Sequence, residues 1–600
     1  MNILSLYTSF PSSASLFQNG RVVAATHEER FTRKKNDETF PVQAINYCLS
    51  QGNLYPSALD GVAVASFQGA SYDDTVMRKS QWTIEDYLKE QYCRWLPITR
   101  GEASKSQSLL EIFPAKRDYD VLPSGILQEL SSLPDRNERL QNGRVRMVAD
   151  YFGISGSKVR CIEHHRCHAA YSYYASPFRG EPVLALTIDG SGDGLNATIG
   201  TFDPNGLYSR HYETSECNIG RIYRYMTLLL GMKPNEHEYK VMGLAPYGKA
   251  PYARKALELF KSTLYVDGTE FRWHEKPTDS YFWFKERLEG VRFDNIACAL
   301  QTWVEELLTE WVMNTVIKFG IDKVIIAGGV AMNIKAMGKV ASLPEVKALF
   351  IGGSASDESM AISAGICMAE DLTRESGAPW DSATVASLPN LYFGPEASRQ
   401  EEQSVVDGLD LSKYQVTDLP SAEQIAGLLR KGKVLARCAG RMEFGQRSLG
   451  NRSILADPCD LRVKGKINEA IKSRDFWMPF APVIMDTYTE RYIINPKHIE
   501  SPHMTIGFET TPQGYDAMIA ACHPADRTAR PQILHKEANP ELYQILEAFE
   551  KLTGRGALLN TSFNLHGHPI VNTPQEAFSV LEMSGLDGLI LNWFLILKKE

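Results

Sequence analysis

The sequence predicts an α/β protein divided into two lobes, and three observations carry that reading. At 600 residues the chain is too long for one hydrophobic core, so two to four domains are expected. Three short apolar runs each lead into a glycine-bearing loop: 183–188 into Asp189-Gly190-Ser191-Gly192, 323–327 into Gly328-Gly329, and 348–351 into Gly352-Gly353. Together these strand-to-loop junctions read as one α/β cleft. Finally, residues 373–389 are rich in Ser, Gly, Ala and Pro with no apolar period, which marks a linker or domain seam. The lobes are therefore expected at 1–372 and 390–600.

Composition narrows the class. Hydrophobic residues at 44% and charged residues at 23% describe an ordinary soluble protein. A net charge of −8 argues against nucleic acid as a partner, which would call for a basic domain. Ten cysteines without a C-x-x-C pair are neither a zinc ribbon nor a disulfide framework, and they fit a reducing cytoplasm. No run of 18 apolar residues occurs, so no membrane span is expected. The start Met1-Asn2-Ile3-Leu4 lacks a cationic segment and does not read as a signal peptide.

Along the first lobe, 3–8 and 13–17 read as strands, and Asn19-Gly20 turns the second into 21–25. The run His27-Glu28-Glu29-Arg30-Phe31-Thr32-Arg33-Lys34-Lys35 reads on composition as a solvated loop. Residues 62–65 make a further strand. Residues 68–152 are mostly helical in pattern, with prolines at 97, 114, 123 and 134, and read as an insertion on the first lobe. The stretch 239–248 reads as a compact loop.

The densest chemistry lies at Glu163-His164-His165-Arg166-Cys167-His168. On a helix starting near Glu163, His164 and His168 stand one turn apart on one face, about 6 Å between Cβ atoms. Such a pair supplies half of a metal site, neutral imidazole being a good ligand for zinc, iron and nickel. A histidine-rich structural helix is the rival reading. His165 points about 100° away around the helix and is not expected to be a ligand. The motif Asp189-Gly190-Ser191-Gly192 places a carboxylate at a strand end beside glycines that open the backbone to an anion. A purely structural hairpin turn competes there as well. Gly328, Gly329 and Asn333 form a strand–glycine–helix junction of the kind that receives nucleotides, and Asp357 closes the third junction.

In the second lobe, cations concentrate at Arg441, Arg447, Arg452, Arg462, Lys464, Lys466, Lys472 and Arg474. In an acidic chain such an excess points to an anionic ligand. Gly440, Gly445 and Gly450, interleaved with the arginines, read as points of close backbone approach. Thr573 and Pro574 read as the N-cap and first residue of a structural helix.

The chain resembles the O-carbamoyltransferases of antibiotic and nodulation-factor biosynthesis, nearly end to end. The matching stretches are Glu28-Glu29-Arg30-Phe31-Thr32-Arg33-Lys34-Lys35, the His164/His168 pair, 242–248 (Met-Gly-Leu-Ala-Pro-Tyr-Gly), 328–333, 526–532 and Asn560-Thr561-Ser562-Phe563-Asn564. The most specific is 440–458, Gly-Arg-Met-Glu-Phe-Gly-Gln-Arg-Ser-Leu-Gly-Asn-Arg-Ser-Ile-Leu-Ala-Asp-Pro.

The resemblance implies an N-terminal lobe of actin/Hsp70-like ATPase type, similar to the tRNA threonylcarbamoyl-transferring enzyme. It implies a C-terminal α+β lobe similar to threonylcarbamoyl-adenylate synthase. The second lobe would make carbamoyl adenylate from carbamoyl phosphate and ATP with Mg(II), and the first would pass the carbamoyl group to a small-molecule hydroxyl or amine. An acyl-adenylate ligase using another carboxylate is the alternative. Carried over, the ligands of Fe(II) or another divalent metal are His164, His168, Asp189 and Asp357. Gly328, Gly329 and Asn333 would line the adenylate, and Arg441, Arg447, Arg452, Lys472, Arg474, Arg530 and Asn564 the phosphates. Lys472, Arg447 and His165 are the candidate catalytic groups. The resemblance also implies a homodimer. Two departures stand out: Phe10-Pro11 replaces the family's His-Asp pair, whose His is thought to be the acceptor's base, and Met478 replaces an arginine expected at carbamoyl phosphate.

Overall fold

The computed structural model describes residues 1–472 and 475–599. It is a mixed α/β protein that separates into two compact units. The first comprises 1–28, 36–349 and 355–387, and the second comprises 29–35, 350–354 and 388–600. Two short segments read from the sequence as parts of the N-terminal lobe thus group with the second unit.

The first unit is built on a repeated pattern. Its first sheet joins β1 (Asn2–Tyr7), β2 (Ser13–Gln18), β3 (Arg21–His27), β4 (Gly61–Ala65) and β5 (Val159–Ile162) in the order β3-β2-β1-β4-β5. β1 to β3 form an antiparallel meander, while β4 and β5 add in parallel. Asn19 and Gly20 take positive φ of 50° and 79°, as a two-residue hairpin turn requires. The second sheet joins β6 (Val183–Gly192), β7 (Leu195–Phe202) and β8 (Tyr208–Thr214) with the strands Lys323–Ala327 and Ala348–Ile351. In its order, Ala348–Ile351, Lys323–Ala327, β6, β7, β8, it repeats the first sheet strand for strand. Again the meander is antiparallel, and Lys323–Ala327 runs parallel to β6. Both central strands are buried along nearly their whole length, which is why they read as unbroken apolar runs.

Residues 68–152 form a succession of short helices ending in Arg136–Phe152. Their core around Tyr72, Trp82, Tyr87, Phe113, Leu127 and Leu140 is shared with Leu228, Tyr281 and Phe282 from outside the insertion. Among the described residues no helix is long and apolar enough to cross a membrane.

Three sequence expectations need correction. The 239–248 stretch is not a loop: Glu238–Leu244 is a helix, followed by a 3-10 turn at Ala245–Tyr247. Val241 to Leu244 are buried, and Pro246 stops the α-helix from continuing. Nor is 27–35 a solvated loop, since His27 to Arg30 are buried and Glu29–Thr32 is helical. Several of its charges have built partners: Glu28 accepts the N–H groups of Gln43 (3.1 Å) and Ala44 (2.8 Å), capping helix Val42–Gln51. Arg30 pairs with Glu29 at 2.8 Å and donates to the Gly445 carbonyl at 2.8 Å. Arg33 donates to the carbonyls of Ile570 (2.8 Å) and Pro569 (3.0 Å). The 373–389 stretch holds the boundary between the units, after Ser387, but is not a free linker. Its buried Trp380 donates to the Tyr174 hydroxyl at 3.1 Å, and Ala386 N–H donates to Gly20 O at 2.7 Å.

The second unit centres on an eight-stranded mixed sheet. Leu435–Cys438, Arg452–Ala456, Ala557–Ser562 and Ala481–Met485 are its consecutive middle strands. Thr573 caps helix Pro574–Glu582 by accepting from Glu576 N–H, with Pro574 in the first turn.

Candidate functional site

In the first unit, helix His164–Ala175 begins at Glu163, whose carboxylate accepts the Arg166 N–H at 2.6 Å. Asp193, in the β6–β7 turn, accepts the His164 N–H at 2.9 Å. The same carboxylate takes the Ser66 hydroxyl (2.6 Å) and the N–H groups of Phe67 (2.8 Å) and Gln68 (2.9 Å). Burial works to raise the Asp193 carboxyl, but these donors outweigh it and hold it below its usual range. One side chain thus ties the segment leading from β4 into the insertion to the start of the histidine helix.

Asp189 sits where the β6–β7 ladder slips register, between Ile188 and Gly192. Such an irregularity re-aims side chains at a strand end. Gly192 is required there, because a Cβ would lie 2.2 Å from the His164 ring. Gly328 has φ of +98°, and a Cβ on it would lie 2.1 Å from Ile188 O. Its N–H donates to Ala355 O at 2.8 Å, so it pins the ends of β6 and Lys323–Ala327 to the segment that carries Asp357.

The four predicted ligands converge, their ligand atoms all within 4.8 Å of one another. His168 Nε2 lies 3.0 Å from Asp189 Oδ2, 3.1 Å from His164 Nε2 and 3.4 Å from Asp357 Oδ1. His164 Nε2 lies 3.3 Å from Asp189 Oδ2 and 3.8 Å from Asp357 Oδ1. Donors bound at about 2.1 Å to one ion stand about 3.0–3.4 Å apart, so the spacing fits a single divalent cation. Two carboxylates and two imidazoles would also balance its charge. In the metal-free protein a proton takes the cation's part. Burial works against a charged His168, yet the Asp189 and Asp357 carboxylates outweigh it and lift the imidazole to about 9. Burial would likewise raise Asp189, but the two imidazoles hold it well below the carboxylate range.

Other predicted residues of this unit fall differently. Gly329 borders the cluster, its Cβ position 3.2 Å from Asp189 Oδ1. Asn333 is occupied: it caps helix Ile334–Ser342 and exchanges two amide hydrogen bonds with Gln301, at 2.9 and 3.0 Å. His165 faces Thr187 Oγ1 at 2.7 Å and is fully buried. Burial and the neighbouring His164 and His168 push it down to about 4, which makes it a weak base.

In the second unit the loop following Leu435–Cys438 is organised by Glu443, which is 4% exposed. Its Oε1 accepts the N–H groups of Leu449 (2.8 Å), Asn451 (2.7 Å) and Arg452 (3.0 Å). Arg452 is a strut. Its buried guanidinium donates to the carbonyls of Asn572, Ala439, Gly440, Asn451 and Pro395 at 3.0–3.4 Å. Arg441 donates to Phe393 O (2.7 Å) and Gly394 O (3.3 Å). Gly440, Gly445 and Gly450 all have positive φ, which gives the three glycines a backbone reason. Lys472 and Asn564 do come together: Lys472 Nζ donates to Asn564 Oδ1 (2.6 Å), Asn564 O (2.9 Å) and Ser562 Oγ (3.2 Å). Arg447 and Arg530 are half-buried in loops, and Arg474 lies outside the described residues.

Sequence reasoning missed Tyr7, Asp193 and Glu443. Tyr7, fully enclosed at the end of β1, donates its hydroxyl to Asp357 Oδ2 at 2.7 Å. Burial and then the Asp357 charge raise its pKa well above the ordinary phenol value, so it stays a donor. Its only sequence signal is a tyrosine ending an otherwise aliphatic strand.

Comparison with known proteins agrees with the motifs. The family described as "Carbamoyltransferase N-terminus" matches residues 3–366, and "Carbamoyltransferase C-terminus" matches 426–598. An uncharacterized protein of Methanocaldococcus jannaschii is 29% identical over 598 residues, 95% of each chain. Nodulation protein NolNO of Sinorhizobium fredii is 28% identical over 610 residues, covering 100% of this chain and 81% of its own. The 3'-hydroxymethylcephem-O-carbamoyltransferase of Amycolatopsis lactamdurans is 26% identical over 271 residues, 45% of this chain and 48% of that one. Since the two family matches together take in most of the chain, it belongs to the carbamoyltransferase family.

Proposed function

We propose that this chain makes carbamoyl adenylate from carbamoyl phosphate and ATP in its second unit and transfers the carbamoyl group to a small-molecule alcohol or amine in its first. The observation that carries the reading is the buried His164–His168–Asp189–Asp357 cluster, which has little purpose in a binding-only protein. The repeated five-strand order supports an actin/Hsp70-type fold for the first unit. The sheet and basic loop of the second support an adenylate-forming lobe.

In this reading carbamoyl phosphate loses its phosphoryl group to water, and the resulting carbamate attacks the α-phosphorus of ATP. Pyrophosphate leaves. Bringing two anions together calls for cations, a role that suits Lys472 with Arg447 and Arg530. In the first unit, the acceptor's oxygen or nitrogen attacks the carbamoyl carbon, AMP leaves, and the acceptor's proton is released. A divalent cation held by His164, His168, Asp189 and Asp357 would supply positive charge to the adenylate's oxygens. Asp193 and Tyr7 hold two of those four groups in place. Phe10-Pro11 offers no base.

The test is pyrophosphate release from ATP in the presence of carbamoyl phosphate. We expect release in the wild type and a loss of about 100-fold in Lys472→Ala. No release would overturn the reading. AMP formation with other carboxylates but not with carbamoyl phosphate would establish an acyl-adenylate ligase instead.

A further inference from the structure

The insertion at 68–152 closes over a cavity of about 240 Å³ in the first unit that the mechanism so far leaves unused. Its walls are Phe40, Val64, Leu122, Leu140, Val148 and Tyr151, with the rings of Phe40 and Tyr151 meeting edge-on at 4.8 Å. The floor adjoins the histidine–aspartate cluster along the chain. Thr8 lines the cavity and follows Tyr7, whose hydroxyl holds Asp357. Val64 lies two residues before Ser66, whose hydroxyl goes to Asp193, the group that also takes the His164 N–H.

The charges at this cavity are already spent. Arg144 is buried and donates to the carbonyls of Ser66 (2.9 Å), Phe67 (3.0 Å) and Ala65 (3.4 Å). Asp150 stands at the rim, 71% exposed, paired with Arg146 at 3.5 Å. A cationic aminosugar would find no buried carboxylate here, and a phosphorylated compound no available guanidinium. What remains is an apolar, partly aromatic chamber with the hydroxyls of Thr8 and Ser124 as polar handles, the Thr75 hydroxyl being given to Ser71 O at 2.9 Å. Pockets of drug-sized ligands run to roughly 300–1,000 Å³, so this one suits a single ring system.

We propose that this cavity receives the carbamoyl acceptor, and that the acceptor is an uncharged, mostly apolar ring compound bearing a hydroxyl. The proposal rests on the transferase reading for the word acceptor, whereas the ligand class rests on the cavity itself.

The experiment is calorimetric titration of the full-length protein with 2-naphthol and, separately, with glucosamine. We expect 2-naphthol to bind with Kd below about 1 mM, as ligand efficiency allows for a probe of this size. Glucosamine should give no heat. Val148→Trp, which fills the chamber, should weaken 2-naphthol at least tenfold. Leu140→Phe narrows it from another wall and should do the same, so the test survives if one variant fails to fold. Equal 2-naphthol binding in wild type and both variants, no binding to the wild type, or preference for glucosamine would each overturn the proposal. Absent pyrophosphate release with Val148-sensitive naphthol binding would reject the transferase reading while supporting the cavity's ligand class.

Discussion

The four-residue cluster of the first unit and the arginine-rich loop of the second spend their charges in opposite ways. Around His168 Nε2 the near neighbours are carboxylate oxygens and the His164 imidazole, a setting that draws in positive charge, a proton or a cation. Around Arg452 the hydrogen-bond partners of the guanidinium are main-chain carbonyls, and it is satisfied as it stands. Both look like dense charge in the sequence. Unmet demand for a ligand, rather than density, separates a site from a scaffold.

The sharpest way to break the comparison is Arg452→Met. If Arg452 is a strut, the change strands several buried carbonyls at about 1–3 kcal/mol each, and the second unit should lose at least about 3 kcal/mol of stability. Denaturant unfolding measures this. A variant as stable as the wild type, with a raised KM for ATP, would return Arg452 to the phosphate-binding set.

His168→Ala acts on the other side of the comparison. Removing the imidazole that the Asp189 and Asp357 carboxylates hold protonated leaves those acids short of a donor. The metal-free variant should therefore lose about 3–5 kcal/mol, as for a broken buried ion pair, and metal affinity is the readout that separates the two sites. Affinity for Zn(II), a redox-inert probe, should fall by more than about 100-fold, beyond the loss known for outer partners of metal ligands. Zinc titration that is indifferent to the change would remove the cluster from consideration as a metal centre.

Tyr7→Phe tests how far the demand for a ligand extends beyond the four groups. Its hydroxyl bond to Asp357 leaves Oδ1, the oxygen nearer the imidazoles, turned into the cluster. Loss of the bond should weaken Zn(II) about tenfold, at the mild end for such outer partners, with melting nearly unchanged. Unaltered affinity would make the bond a packing detail.

The elements that gather the cluster were legible because each has a local signature: i, i+4 histidines, strand–Asp–Gly junctions and an Asn-Gly turn. What escaped depends on distant partners. Nothing in the run 27–35 announces that Arg33 meets the carbonyls of Pro569 and Ile570, more than 530 residues away. Likewise Glu443 reads as one charge among many until three N–H groups converge on it. Arginine density alone could not show that Arg441 and Arg452 turn to main-chain carbonyls, because composition cannot tell a side chain aimed at solvent from one aimed at its own backbone. The 239–248 helix was hidden by its glycine and proline, whose turn-forming tendency burial overrode.

The smallest effect concerns a charge that belongs to neither class. Glu38 is half-buried at the insertion, and its Oε1 accepts the Ser80 N–H (3.1 Å) and hydroxyl (3.0 Å). Burial raises its carboxyl from 4.5 to about 7 despite these bonds and the nearby Arg78 and Lys79. The folded state therefore holds a proton that the unfolded chain gives up above about 4.5. That contribution to stability is complete below the unfolded value and is lost as pH rises through about 7. Glu38→Gln keeps the shape and cannot ionise, so the variant should melt above the wild type at pH 8, by about 1 °C in so large a protein. The difference should vanish near pH 5. A gain of the same size at both pH values would mean that the change acts through packing, and that Glu38 is as well satisfied as Arg452.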